Sequence, residues 1–132
     1  MSLRILLLLT CFFFSRNADA QALDTLATLS AGRWHMVKAE AMGKVNDVPE
    51  EMQENMWVEM QRGGTFKSKQ LIQETSGTWS YDRKKRILRT KENKENGIKD
   101  SDLRIVSLAA KTVVLEALKD GKVAATITFR RR

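Results

Sequence analysis

The sequence is poor in the residues that most often carry chemistry: 132 residues include one cysteine, one histidine, one proline and one tyrosine. A single cysteine, Cys11, excludes an internal disulfide, so the fold has to be held by packing and hydrogen bonds. One histidine, His35, with scattered carboxylates does not make a zinc site. His35 also has no local partner motif from which to build a nucleophilic triad. Gly63-Gly64 lacks the lysine and the following helix that a phosphate-cradling loop needs. No apolar run reaches the ~20 residues that a membrane-spanning helix requires. These absences point to a protein that is not an enzyme and that has no metal and no cofactor.

The apolar stretch that is present lies at the start. Arg4, the run from Ile5 to Phe14 and the small-residue pattern Ala18-Asp19-Ala20 have the form of a cleaved secretory signal. Residues 1–20 are expected to be removed, with Gln21 as the new terminus. Residues 21–132 then suffice for one domain with a modest core. Cys11 leaves with the signal. So do Arg4 and Arg16 against Asp19, which lowers the net charge by one, from +7 to +6. Such a balance suits anionic partners in general, and export argues against nucleic acid. The expected location is periplasmic or extracellular, with attachment to the cell surface as a further option.

In the exported part, helical spacing occurs once. Leu23, Leu26 and Leu29 stand three apart between Gln21 and Ser30, which predicts one short amphipathic helix. Beyond it, turn signals recur about every ten residues, as in an all-β sandwich or barrel. Eight strands are expected: Trp34 to Met42, Asn55 to Gln61, Thr65 to Gln73, Gly77 to Tyr81, Ile87 to Lys91, Ser101 to Leu108, Thr112 to Leu118, and Val123 to Arg130. The short connections Arg62-Gly63-Gly64, Asp82 to Arg86, Ala109-Ala110-Lys111 and Lys119 to Lys122 make sequence neighbours sheet neighbours. An up-and-down antiparallel sheet of eight strands removes its free edges by closing into a barrel. Two longer stretches are expected to be loops, Gly43 to Glu54 and Glu92 to Asp100. The first is either a cover for the barrel mouth or a connector with a short helix over Pro49 to Met52.

Alternation divides each strand into two faces. The candidate interior is Met56, Val58, Met60, Phe66, Trp79, Tyr81, Leu88, Leu103, Ile105, Leu115, Ile127 and Phe129, with the smaller Ser68, Gly77, Ser107, Ala117 and Ala125 among them. Val123 is expected on the same face as Ala125, Ile127 and Phe129. The first strand is mixed, since Trp34 and Met36 share a face with Lys38 and Glu40. Either a bulge or a polar patch accounts for that. An interior of eight strands is filled by side chains or holds one small ligand. Both outcomes fit this mixture of bulky and small residues. The basic runs Arg83-Lys84-Lys85-Arg86 and Arg130-Arg131-Arg132 are read as solvated, with attraction to an anionic surface as the functional alternative.

Gly32-Arg33-Trp34 at the first strand, Gly63-Gly64-Thr65-Phe66, Gly77 to Asp82 and Thr126 to Arg130, in that order, together resemble the bacterial lipocalin-like domains. The resemblance covers about residues 29 to 131. It implies an eight-stranded barrel whose interior takes a small apolar or amphipathic molecule. It also implies that Gly32 and Trp34 lie at the closed end, with Arg130 or Arg131 packed over the indole. The alternative reading is a packed structural or protein-interaction module with no small ligand. No protein partner is readable.

Overall fold

The computed structural model describes residues 25–132. The expected signal, residues 1–20, lies outside the described residues, as does Leu23 of the expected helix. Helix α1 spans residues 25–29. It is followed by β1 (Arg33–Ala41), β2 (Lys44–Asp47), the one-turn helix α2 (Glu50–Gln53), β3 (Met56–Met60), β4 (Thr65–Gln70), β5 (Gln73–Asp82), β6 (Ile87–Lys94), β7 (Gly97–Leu108), β8 (Thr112–Lys119) and β9 (Lys122–Arg131).

All pairings are antiparallel and, apart from β1 with β3, join consecutive strands until the sheet closes by pairing β1 with β9, Trp34 opposite Arg131 through Glu40 opposite Thr126. The result is the expected all-β, eight-stranded barrel with a short N-terminal helix. A ninth strand is added outside the expectation. β3 reaches only the first part of β1, pairing Arg33 to His35 with Glu59 to Trp57. β2 folds back on the rest of β1, from Lys38 to Ala41. The Gly43 to Glu54 stretch is therefore not a loop throughout: it holds a hairpin strand, which was not expected, and the short helix at Glu50–Gln53, which was one of its readings. Glu92 to Asp100 is also no loop, because β6 and β7 stay paired out to Lys94 opposite Gly97. Both segments are polar, and their pairing comes from continuing a ladder already started by apolar neighbours.

Three bulges set which side chains point inward. The shift between Met36 and Lys38 inserts one residue into β1. It keeps Trp34 and Met36 inside, turns Lys38 and Glu40 outward and brings Ala39 opposite the inward Ile127. This resolves the mixed pattern of the first strand in favour of a bulge. A second shift, between Ile105 and Ser107, places Ser107 opposite the outward Val114 and returns Leu108 to the interior. Ser107 is thus not an interior residue. A third, between Ala117 and Leu118, sets Val123 opposite Leu118, so Val123 leaves the face of Ala125 and is 46% exposed.

The core is Leu29, Trp34, Met60, Phe66, Trp79, Leu88, Ile105, Val113, Leu115 and Phe129, all buried. Each contributes roughly 1.5–3 kcal/mol on burial. Phe66 lies opposite Gly77 in the β4–β5 ladder, and its ring occupies the space above that glycine. A Cβ at Gly77 would fall 2.7 Å from Phe66 Cε1 and 2.0 Å from the Lys91 carbonyl oxygen, so the position admits no side chain without moving backbone. Gly77→Ala is expected to lower stability by about 2–3 kcal/mol, an overpacking cost, measured as a fall in the urea midpoint at unchanged m-value.

Candidate functional site

The two ends of the barrel differ. At one end α1 lies across the opening. Trp34 is 1% exposed, and its Nε1 donates to the Leu29 carbonyl at 3.0 Å. Arg131 joins Trp34 against this plug. Its guanidinium carbon is 4.9 Å from the Trp34 ring centroid, and it donates to the Thr28 carbonyl at 3.1 Å and to the Ala110 carbonyl. Arg131, not Arg130, is the arginine over the indole. The pairing of Trp34 with Arg131 puts both on the inner side of their strands, while Arg130 lies opposite His35 on the outer side. Gly32 borders the Arg131 stem, since a Cβ there would sit 3.3 Å from Arg131 Cδ. Planar stacking and fixed donors are what a guanidinium supplies and an ammonium does not. Trp79 adds a second tie at this end, donating from Nε1 to the Gln61 carbonyl at 2.9 Å.

Above the plug the interior is not filled. A cavity of about 200 Å³ runs up from Trp34 and Leu29 between the strands. Of the expected interior residues, Met56, Val58, Met60, Phe66, Leu88, Leu103, Leu115, Ile127 and Phe129 line it. Trp79, Tyr81 and Ile105 do not. They pack in or against the core around it. The sequence reading missed Met36 and Val113 in the lower wall, and Gln70, Thr90, Glu92 and Ser101 in the upper wall. Register was the signal for the last three: Thr90 pairs with Ser101, and Glu92 continues the alternation begun by Leu88. Ser68 also lines the cavity, its Oγ 2.6 Å from Thr75 Oγ1. Glu92 is bound by Lys94, two residues along the same face, at 3.0 Å. The lower wall is thus apolar and the upper wall hydroxylic and amidic, with one ion pair near the open mouth.

Trp57, which also borders the cavity and was not among the expected interior residues, has a further role. Alternation places it outside, and there it is 8% exposed with the Arg33 guanidinium 4.0 Å from its ring centroid. Arg33 is held in turn by Glu59 at 3.0 Å. A depression of about 260 Å³ on the β4–β5 wall is lined by Trp57 itself with Lys67, Ser68, Glu74, Thr75 and Ser76; it is more open and less apolar than the interior cavity. His35, also on the outer side, bonds through Nδ1 to the Gln53 carbonyl at 2.7 Å, which ties α2 to β1. Among the described residues no three of His, Cys, Asp and Glu are grouped as metal ligands. Among the same residues no helix is long and apolar enough to cross a membrane.

No family model matches the chain, and no curated protein does. Among solved structures, the chain is similar to a DUF4847 family protein from Bacteroides vulgatus ATCC 8482, with 17% sequence identity and a TM-score of 0.55 over 79% of this chain and 94% of that one. At that identity the likeness is one of fold. It supports the barrel and leaves the lipocalin-like resemblance as a matter of motifs.

Replacing Arg131 by Ala removes the stacking and two bonds to carbonyls, and is expected to cost about 2 kcal/mol. Arg130→Ala, on the outer side, is expected to cost under about 0.5 kcal/mol. Paired thermal melts of the two variants measure the difference, and equal shifts would show that the clamp does not hold the closed end.

Proposed function

We propose that this is an exported lipocalin-like barrel, not an enzyme, that holds one small apolar or amphipathic molecule in its interior. The observation that carries the reading is the cavity of about 200 Å³, with an apolar floor at Trp34, Val113 and Phe129 and polar groups at its upper wall. Its size defines the ligand. Apolar cavities of ~150 Å³ accept a benzene-sized guest, whereas pockets for larger ligands begin near 300 Å³. The occupant is therefore a molecule about one ring in size, with its apolar part against the tryptophan and any donor or acceptor toward Ser68, Thr90 and Ser101. A long acyl chain does not fit.

The competing reading, a module with a packed interior that meets another protein through its outer face, draws on the same volume, since the cavity is smaller than most ligand sites. Titration calorimetry with indole and 3-phenylpropanol separates the two. One-to-one binding is expected for the wild type and none for Val58→Phe, which fills the cavity, with both proteins melting cooperatively. Native mass spectrometry of protein purified from its source is expected to show a co-purifying small molecule. If no ligand appears and neither probe binds, the carrier reading falls. Export belongs to the same proposal, and its mark is an intact mass that begins at Gln21 in protein recovered outside the inner membrane.

A further inference from the structure

The apolar side chains that the fold leaves in water are unevenly placed. Among the described residues, the large apolar side chains exposed by 46% or more are Met42, Val45, Leu71, Ile72, Ile98, Val106 and Val123. All but Val106 lie at the open end, in or next to the turns that join β1 to β2, β4 to β5, β6 to β7 and β8 to β9. Met42 is 97% exposed and Ile72 98% exposed, so neither contributes to the barrel's own core.

Their backbones make this placement harder to attribute to chance. Met42 has φ +53° and Leu71 φ +58°, in the left-handed region that Gly, Asn and Asp occupy most readily. The β8–β9 turn, built the same way as Met42-Gly43, uses Asp120 at φ +54° followed by Gly121. Two other turns on this rim set apolar residues in the costly conformation, and there Met42 gains no packing inside the molecule while Leu71 is only half covered. An apolar surrounding outside the molecule would supply what is missing.

The tips come from four different hairpins around the rim, which suits a fluid, extended surface better than a shaped protein groove. The inner lip of the mouth is basic. Strand alternation sets Lys99, Lys119 and Lys122 on the inner lip of the mouth, with Lys119 directly opposite Lys122. Glu92 is the carboxylate on that lip and already holds Lys94. Glu74 and Asp100 lie on the outer side, and Glu95 and Asp120 at turns. A like-charged pair directly opposite across a ladder is destabilising, and phosphate groups facing it relieve that repulsion. Apolar residues at the acyl boundary with lysines at headgroup level are the pattern of an interfacial anchor.

We propose that the open rim is a membrane-docking surface. Met42, Leu71, Ile72 and Ile98 enter the interface of an anionic phospholipid bilayer, and Lys99, Lys119 and Lys122 meet its phosphates, so that the mouth faces the lipid. The basic runs at Arg83 to Arg86 and Arg130 to Arg132 belong to the opposite end and take no part. The docking does not depend on the cavity holding a ligand.

The test is co-sedimentation of residues 21–132 with large vesicles of phosphatidylcholine alone and of phosphatidylcholine with 30% phosphatidylglycerol, with the double variant Met42→Asn/Ile72→Asn beside the wild type. Wild type is expected to sediment with the anionic vesicles and more weakly with the neutral ones. The double variant should lose at least about tenfold in partition while melting no lower than wild type, because both side chains are solvent-exposed and Asn accepts the left-handed conformation at position 42. Lys99→Gln/Lys119→Gln/Lys122→Gln is expected to remove the preference for anionic vesicles. The proposal is overturned if wild type sediments with neither vesicle. It is equally overturned if the tip variant binds as well as wild type, or if the tip substitutions instead convert a dimer to a monomer in sedimentation equilibrium, which would assign the rim to a second copy of this chain.

Discussion

The structure depends on the contact of one indole with one guanidinium. Trp34 lies at the start of β1, next to Arg33, and Arg131 ends β9, and the stacking of the arginine on the indole holds together the two strands whose pairing turns an open sheet into a barrel. The same two side chains reach α1, through Nε1 of Trp34 to Leu29 and through Arg131 to Thr28, so the helix is held as a plug by polar bonds as well as by its leucines. In a chain whose only cysteine lies in the first twenty residues, this cluster does at one end what a disulfide does in many exported domains. It is a cooperative device. Loss of the arginine would loosen the helix, the first strand and the last strand together.

With that end sealed, the barrel opens at the other. The interior changes character along the axis, from Trp34, Val113 and Phe129 at the floor to Ser68, Thr90, Glu92 and Ser101 above. The outer wall carries directly opposed ion pairs, Arg33 with Glu59 and Arg104 with Glu116. These exposed pairs contribute little each to stability and mainly favour one register. The outer surface of β1 and β3 is an exception, because Trp57 is covered there by Arg33 and makes a small second packing site on the solvent side of the sheet.

Much of this was legible in the residues. The barrel followed from turn spacing and alternation. Leu88, Leu115, Ile127 and Phe129 could be assigned to the interior because their strands are regular where they lie. The faces of Ser107 and Val123 could not be read, because a bulge leaves no trace in a pattern of alternating residues except a break that a polar patch imitates equally well. The first strand did show such a break, at Lys38 and Glu40, and there the bulge was one of two readings. β2 and the outer half of the β6–β7 hairpin were hidden for another reason. Lys-Val-Asn-Asp and Lys-Glu-Asn-Lys have little strand propensity, and what extends them is the ladder beneath. The choice between Arg130 and Arg131 was a matter of register, which only the closing pair settles.

The closure has a consequence for the order of folding. Every pairing in the sheet but one joins strands that are adjacent or nearly so along the chain, whereas β1 and β9 bring together residues from opposite ends of the domain. Bringing such distant segments together costs more chain entropy than any hairpin, and contacts of this kind slow folding. The meander from β3 to β9 can assemble from local hairpins, but β1 gains its long partner only when the last strand is in place. Until then Trp34 has no arginine and the cavity no floor. The barrel becomes a container in its final step.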